Sequence, residues 1–177
     1  MTSARTMVEV LRSRLPGFNL EVKPLLEHGE HAGDQFYISV APGGLIEVLQ
    51  SLRDDPQLRF EQLCDLTCVD YLNFPGATDR YAVIYSLLSL THNHRLWVKC
   101  FVNDPEPRIP SVVSIWPGAE WLEREVFDMF GVVFDGHPDL RRILTWDGFP
   151  AHPLRKDYPL RGKGEREDYE VVTRESA

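Results

Sequence analysis

Two apolar segments joined by a short polar loop place the strongest constraint on how this chain folds. Residues 80–90 and 96–102 are rich in β-branched and aromatic side chains, which favours β-strands. The polar stretch between them, residues 91–95, has a length suited to closing a β-hairpin. The sequence therefore predicts two adjacent antiparallel strands in the middle of the chain.

Segments of strand and helix character precede this hairpin. Residues 18–26, 35–40 and 60–71 have patterns typical of strands, whereas residues 5–15 and 45–53 carry apolar side chains at helical spacing. The combination predicts an α+β fold. We expect a mainly antiparallel sheet of four to five strands covered by helices, with an extended C-terminal tail.

The cysteines predict buried thiols instead of a metal centre. Cys64, Cys68 and Cys100 are too few and too widely spaced for a disulfide framework or for the ligand set of an iron–sulfur cluster or zinc. Cys64 and Cys68 lie an even number of residues apart in the predicted strand, so both are expected to point inward. We expect inert thiols and no metal–sulfur centre held by this chain alone.

Charge and hydropathy exclude two broad functions. A formal net charge of −8 and a pI near 5.2 argue against nucleic-acid binding, which usually requires a basic face. The sequence contains no run of about 20 apolar residues of the kind that spans a membrane, and its start lacks the apolar region of a signal peptide. We expect a cytoplasmic location, or one on the cytoplasmic side of a membrane to which partners hold the chain.

The stretch 121–159 is the most distinctive part of the sequence because it is dense in charges, aromatics, glycines and prolines. Its first part predicts a helix that Pro117 opens and Gly131 ends. The apolar face of this helix is predicted to consist of Leu122, Val126, Met129 and Phe130.

Charged residues occupy the other positions of this helix, and three roles are open for them. They are Glu123, Arg124, Glu125 and Asp128. Glu125 and Asp128 are neighbours at helical spacing, as a catalytic carboxylate pair would be. A solvated charged face is the plainer alternative. The large aromatic side chains of Trp121 and Phe127 beside these acids favour a third role, a docking face that meets arginines of a partner.

The loops that follow the helix contain further polar candidates. A metal site would draw on His137, Asp139 and His152, with Asp157 as a fourth ligand, although their spacing matches no standard site. Asp139 is instead expected to cap a short helical turn over residues 140–144. The remaining candidates are cations suited to pairing with carboxylates or carbonyl oxygens across an interface: Arg141, Arg142, Arg155 and Lys156.

These patterns divide the chain into three parts. Residues 1–110 are predicted to form an α+β domain, and residues 111–144 a helical docking segment packed on it. Residues 145–177 are rich in charge and poor in aliphatic side chains, so they cannot fold alone. We expect an extended tail that wraps a partner.

Three motifs within the distinctive stretch closely resemble a known family. They read EREVFDMFGV at 123–132, GHPDLRRIL at 136–144 and HPLRKDYP at 152–159. In this order and spacing they resemble the 30 kDa subunit family of respiratory complex I, which in bacteria is part of the proton-translocating NADH–quinone oxidoreductase. The strand-rich first half suits the same family.

The resemblance implies a non-catalytic structural subunit of the hydrophilic arm, peripheral to the cytoplasmic face of the plasma membrane. It implies no cofactor in this chain, with FMN and iron–sulfur clusters on partner subunits. The implied partners are the 49 kDa-type subunit and the cluster-bearing subunit next to it. The alternatives are the equivalent subunit of a membrane-bound hydrogenase, or a free-standing metal-dependent hydrolase that uses His137, Asp139 and His152.

We predict no catalytic, cofactor-binding or metal-binding residues. The residues predicted to form the interface, or the local framework that supports it, are Trp121, Glu123, Arg124, Glu125, Asp128, His137, Asp139, Arg141, Arg142, Arg155, Lys156 and Asp157.

Overall fold

The computed structural model describes residues 4–18, 21–24 and 36–165, which form three α-helices and seven β-strands. The helices are α1 (Ala4–Arg14), α2 (Leu45–Asp54), which follows a 3₁₀ turn at Pro42–Gly44, and α3 (Ala119–Phe130). The strands are β1 (Glu21–Pro24), β2 (Phe36–Val40), β3 (Gln62–Asp70), β4 (Tyr81–Ser89), β5 (His94–Val102), β6 (Arg108–Pro110) and β7 (Val133–Asp135).

The predicted hairpin forms the centre of a five-stranded sheet with the order β1-β2-β5-β4-β3. Strands β4 and β5 pair antiparallel along their full length, with Tyr85 opposite Val98. β3 and β1 also pair antiparallel with their neighbours, and only β2 runs parallel to β5. The prediction of an α+β fold with a mainly antiparallel sheet is confirmed.

One face of this sheet carries the hydrophobic core. Alternate side chains of β5 are buried, from Leu96 through Val98 and Cys100 to Val102, because successive side chains of a strand point to opposite faces. The apolar face of α2 belongs to the same core and is formed by Leu45, Val48, Leu49 and Leu52. The opposite face of β5 remains partly exposed.

The prediction that Cys64 points inward is wrong. The β3–β4 register shifts between Leu63 and Asp65, so Cys64 is an extra residue in the ladder and its side chain is exposed. Such a bulge resets the alternation of faces along a strand. Beyond it, Leu66 and Cys68 are buried as expected. Burial raises the pKa of the Cys68 thiol far above its usual range, which suits an inert core residue.

A second, two-stranded sheet joins two of the predicted parts of the chain. β6 and β7 pair in parallel, with Ile109 opposite Phe134, and the Ser111 N–H donates to the Asp135 carbonyl at 2.8 Å. Helix α3 lies between these strands in sequence and packs against β3. The segment 111–135 is therefore structurally continuous with the preceding α+β domain.

The predicted tail begins on the surface of its own domain. The Leu154 N–H donates to the Met129 carbonyl at 3.1 Å, and the Lys156 N–H donates to the Asp70 carboxylate at 2.8 Å. Residues 166–177 of the predicted tail, and parts of the predicted strand 18–26, lie outside the described residues. None of the helices in the described ranges is long and apolar enough to cross a membrane.

Candidate docking surface

The carboxylate of Asp128, on α3, is the centre of a hydrogen-bond network. One oxygen, Oδ2, accepts from three consecutive backbone N–H groups, those of Ile143, Leu144 and Thr145, at 3.0, 2.7 and 2.8 Å. The other, Oδ1, accepts from the Thr145 hydroxyl and from Arg142 Nη1, the latter at 2.7 Å. The loop after β7 is thus folded around a fully buried helix side chain.

This environment keeps Asp128 ionised. Burial by itself raises the pKa of a carboxyl group. Hydrogen bonds from Thr145, Arg142 and Ile143 outweigh burial and hold the pKa of Asp128 well below its usual range. The ionised carboxylate and the groups that donate to it therefore stabilise one another.

The third motif, residues 152–159, satisfies the carbonyl oxygens at the end of α3. The His152 Nδ1–H donates to the Asp128 carbonyl at 2.9 Å, and Arg155 Nε donates to the Phe130 carbonyl at 2.6 Å. The last carbonyls of a helix have no partner within the helix, and a cation at this end also interacts favourably with the helix dipole. Burial lowers the pKa of His152, which favours a neutral imidazole with its proton on Nδ1, the atom that faces the Asp128 carbonyl.

Gly131 permits this close approach. It ends α3 in the left-handed conformation, with φ +77°, where glycine is strongly favoured. A β-carbon built on Gly131 would lie 2.5 Å from Arg155 Nη2 and 2.6 Å from the His152 ring. The residue is therefore required both for the turn and for the packing of the third motif.

Arg80 attaches the same segment to the sheet. Its guanidinium contacts the carboxylate of Asp157 at 2.8 Å and that of Asp70 at 3.4 Å, and it also pairs with Asp104. The hydrogen bond from Arg80 lowers the pKa of Asp157. Because the fully buried Asp70 side chain also accepts from the Lys156 N–H, the Arg155–Asp157 cluster is anchored at the end of β3.

Glu123 of α3 forms a separate buried contact with the segment that precedes the helix. Its oxygens accept from the Ser111 hydroxyl and the Val112 N–H, both at 2.7 Å. Burial raises the pKa of Glu123 to about 7, although these two hydrogen bonds oppose the shift. With so few donors, this carboxyl group titrates near physiological pH, where its protonated and ionised forms coexist.

Glu123→Gln is expected to stabilise the chain above pH 7 and to change little at pH 5. The folded pKa of Glu123 lies above its unfolded value, so the folded state binds more protons between about pH 4.5 and 7. Stability from this residue is therefore lost as pH rises through that window. Glutamine can accept from the Val112 N–H at its oxygen and donate from its amide nitrogen to the Ser111 hydroxyl oxygen, without the charge, with a gain of about 2–3 kcal/mol at pH 8.

The measurement is urea unfolding of wild type and Glu123→Gln at pH 5, 6.5 and 8. Glu125→Gln provides the matched control because Glu125 lies on the same helix and is exposed. Equal differences between wild type and Glu123→Gln at all three pH values would contradict the assignment of a raised pKa to Glu123.

The structure corrects the placement of several predicted residues. Glu123, Arg124 and Asp128 were expected on the outward face of α3, but all three are buried. Helical spacing distinguishes apolar from charged positions, but it carries no information on polar partners supplied by residues 111–112 and 141–145. Arg124 donates to the Arg141 and Arg142 carbonyls at 3.2 and 3.3 Å.

The predicted cap at Asp139 is also wrong. Residues 140–144 are not helical, and the Asp139 carboxylate accepts from Arg141 Nε at 2.8 Å instead. Three backbone N–H groups of this loop donate to the carboxylate of Asp128, which lies on α3. An aspartate does accept consecutive N–H groups here, but it is Asp128 of α3 and the segment that it binds is an irregular loop, not a helical turn.

The geometry gives no support to the metal-site alternative. His137 accepts the Asp139 N–H at Nδ1 and donates from Nε2 to the Glu120 carbonyl. His152 is bonded to the end of α3. Among the residues that the structure describes, no group of three His, Cys, Asp or Glu side chains converges as metal ligands would.

Exposed apolar side chains mark the outer side of this network. We call Leu144, Trp146, Leu154 and Leu160 the 144–160 patch; they are exposed by 63%, 39%, 52% and 104%. Three of them line a groove of about 470 Å³. Leu144 and Leu154 are hydrogen-bonded to α3 through their own N–H groups. Trp121 is also exposed, on α3, and the centroid of its ring lies 4.9 Å from the guanidinium carbon of Arg124.

Sequence reasoning missed this patch. Its four residues are isolated apolar positions in irregular structure, so no periodic pattern singles them out. Their only sequence signal is the presence of large apolar side chains in a segment otherwise too polar to form a core. Of the predicted interface residues, Trp121, Glu125, Asp139, Arg141, Lys156 and Asp157 are exposed.

The fold and the patch define a class: a small α+β protein that presents a fixed, apolar surface suited to another protein. Comparison with known sequences specifies the family. The sequence model of the respiratory-chain NADH dehydrogenase 30 kDa subunit matches residues 38–164. The chain belongs to this family, as its three motifs predicted.

Relatives named as members of NADH-quinone oxidoreductase agree with this assignment, and each is the subunit lettered C of that complex. The chain is 40% identical to the relative from Coxiella burnetii, over 93% of this chain and 82% of the relative. It is 55% identical to the relative from Cupriavidus taiwanensis, over 66% of this chain and 61% of the relative.

Two solved structures share the fold. The trypsin-resistant fragment (1-134) of Nqo5 matches with a TM-score of 0.63 at 30% identity, over 77% of this chain and 98% of the fragment. A chain of an archaeal membrane-bound sulfane sulfur reductase matches with a TM-score of 0.70 at 24% identity, over 96% and 93%. The second likeness shows a common fold alone.

Proposed function

We propose that this chain is a structural subunit in the hydrophilic arm of a proton-translocating NADH–quinone oxidoreductase. Electrons would pass from NADH through FMN and iron–sulfur centres on other subunits to quinone, while this chain contributes no cofactor and no catalytic residue. Its family and its relatives named as NADH-quinone oxidoreductase subunits support the proposal.

The contribution of the chain to this activity is positional. The observation that carries the proposal is the 144–160 patch, whose apolar side chains project from a loop that a buried ion pair and helix-capping bonds hold in place. A surface ordered before binding loses little conformational entropy on association. It therefore suits a subunit that keeps neighbouring redox subunits in a fixed geometry.

The proposed neighbours are the 49 kDa-type subunit and the cluster-bearing subunit next to it. Association with the cytoplasmic face of the plasma membrane would occur through the complex. The alternative is that the chain is the equivalent subunit of a membrane-bound hydrogenase. This alternative is compatible with the fold, which is shared with a chain of another respiratory membrane complex. The identity of the co-purifying subunits distinguishes the two, because a hydrogenase partner carries cysteines for a nickel site.

Leu160→Asp is expected to abolish most assembly without unfolding the chain. The Leu160 side chain is fully exposed, so its replacement removes no internal contact. In an assembled complex the same change would bury an unpaired charge, at a cost of about 2–4 kcal/mol or about 30-fold or more in affinity. The readout is the yield of co-purifying subunits from cells that express the tagged full-length chain.

Leu90→Asp serves as the matched control. Leu90 is 66% exposed in the β4–β5 turn, so the two variants change the same residue type at exposed positions. We expect Leu90→Asp to assemble at the wild-type level. Normal assembly of Leu160→Asp would contradict the docking role of the 144–160 patch, and wild-type chain that recovers no NADH–quinone oxidoreductase subunits would contradict the proposed function.

A further inference from the structure

The outer face of the five-stranded sheet is left uncovered by the described helices and carries large side chains. Along β5 the outward positions are Arg95, Trp97, Lys99 and Phe101, which alternate with the buried positions. Strand register places Tyr37 beside Trp97 and Ile84 beside Lys99. This face is distinct from the 144–160 patch, which lies on the loops that follow α3.

One end of the outer face forms a groove of about 430 Å³. The loop between β3 and β4 forms one wall of the groove. The ring of Phe74 meets that of Tyr71 edge-on, with 5.6 Å between the ring centroids, and the centroids of Tyr71 and Phe101 are 6.4 Å apart. Phe74 is 62% exposed. Phe74, Tyr71 and Phe101 together form a continuous aromatic wall, and contiguous exposed apolar surface is typical of interaction sites.

Lys99 lies in the groove, at the centre of the sheet. Its Nζ is 3.8 Å from the centroid of the Tyr37 ring, and Lys23 lines the same groove. Burial and the nearby charge of Lys23 both lower the pKa of Lys99. Among the lining residues that the structure describes, Asp79 is the single acidic side chain, and it already accepts a hydrogen bond from Asn103 at 2.8 Å.

These charges decide which occupant fits. An apolar segment laid over the aromatic wall would remove water from the Lys99 ammonium without replacing it, which carries a desolvation cost. A segment that brings a carboxylate to Lys99 offsets that cost. The groove is also open along the sheet, unlike the enclosed sites that bury most of a small ligand, so an extended polypeptide fits it better.

We propose that this groove, the Lys99 groove, binds an acidic segment of a neighbouring protein subunit. An aspartate or glutamate of that segment pairs with Lys99, and an adjacent apolar side chain packs on Phe74 and Phe101. The inference rests on the proposed function only in requiring a neighbouring subunit. It assigns the chain a second docking surface, separate from the 144–160 patch.

Site-specific photo-crosslinking in the assembled complex tests this assignment. A benzophenone amino acid replaces Phe74 in the tagged full-length chain, and the crosslinked peptide is identified after purification of the complex. We expect a peptide that contains Asp or Glu within a few residues of the crosslink. Lys99→Glu is expected to reduce the crosslink by about tenfold or more, whereas Lys99→Arg retains it.

Arg95→Glu provides the matched charge reversal. Arg95 lies on the same strand and face, four residues from Lys99 and outside the groove, so it should change the crosslink less than about twofold. Suppose that the complex is recovered with its other subunits, but the benzophenone at position 74 crosslinks to nothing, to a segment without acidic residues, or to lipid or nucleic acid. The inference is then overturned and the proposed function stands. If wild type recovers no other subunit, both are overturned.

Discussion

Asp128→Ala is expected to lower the free energy of unfolding by about 3–5 kcal/mol. The substitution leaves the Arg142 guanidinium, whose side chain is 15% exposed, without its anion. It also leaves the N–H groups of Ile143, Leu144 and Thr145 without their acceptor. Removing one partner of a buried charge pair is far more costly than the net value of the pair.

Urea unfolding of the full-length chain measures this loss. Glu125→Ala is the matched control, because it removes an exposed carboxylate from the same helix and should change stability by less than about 0.5 kcal/mol. Limited proteolysis should show new cleavage within residues 141–150 of Asp128→Ala. A loss below about 1 kcal/mol would show that the loop does not depend on this anion.

The same carboxylate predicts a pH dependence. The folded pKa of Asp128 lies below its ordinary value of 3.8, so its stabilisation is present above that value and is lost as pH falls. The stability difference between wild type and Asp128→Ala should therefore be constant from pH 5 to 8 and should shrink below about pH 4. This is the opposite trend to that of Glu123, whose pKa is raised by burial.

The sheet and helices could be predicted because their patterns are local. The alternation in β5 and the helical spacing in α2 each reflect which face of a short element is buried. The glycine that ends α3 reflects the left-handed conformation of a single residue. Cys64 departed from its pattern because a β-bulge depends on the pairing of two strands. A single strand sequence does not record that pairing.

The polar network could not be predicted in the same way. Asp128 pairs with residues 14–17 positions further along the chain, across irregular structure with no repeating spacing. A charged residue on a helix has the same appearance in sequence whether it faces solvent, a partner or a buried loop. Only the three-dimensional path of residues 136–155 distinguishes these cases.

The structure also changes how the three family motifs are interpreted. The first motif supplies Asp128 and Gly131, the second wraps its N–H groups around Asp128, and the third caps the carbonyls of α3. The residues of the three motifs therefore form a hydrogen-bond network inside the chain, and this network holds the 144–160 patch in place. It follows that Arg142→Ala lowers the stability of the chain itself and is a poor probe of docking.

Gly131→Ala is expected to lower the free energy of unfolding by about 2–4 kcal/mol. A non-glycine residue at φ +77° costs about 1–2 kcal/mol. The added methyl group would also overlap the His152 ring and the Arg155 guanidinium. Displacing them breaks the bonds to the Asp128 and Phe130 carbonyls, each worth about 1 kcal/mol.

Gly118→Ala is the matched control at the other end of α3. Gly118 has φ −62°, and no atom lies within 4 Å of the added β-carbon, so stability should change by less than about 1 kcal/mol. Hydrogen exchange should show that Gly131→Ala exposes the N–H groups of Leu154 and Lys156 while the amides of β4 and β5 stay protected. Equal effects of the two substitutions on stability would mean that the third motif does not depend on the space that Gly131 leaves. A uniform loss of amide protection would mean that the third motif does not unfold separately from the sheet.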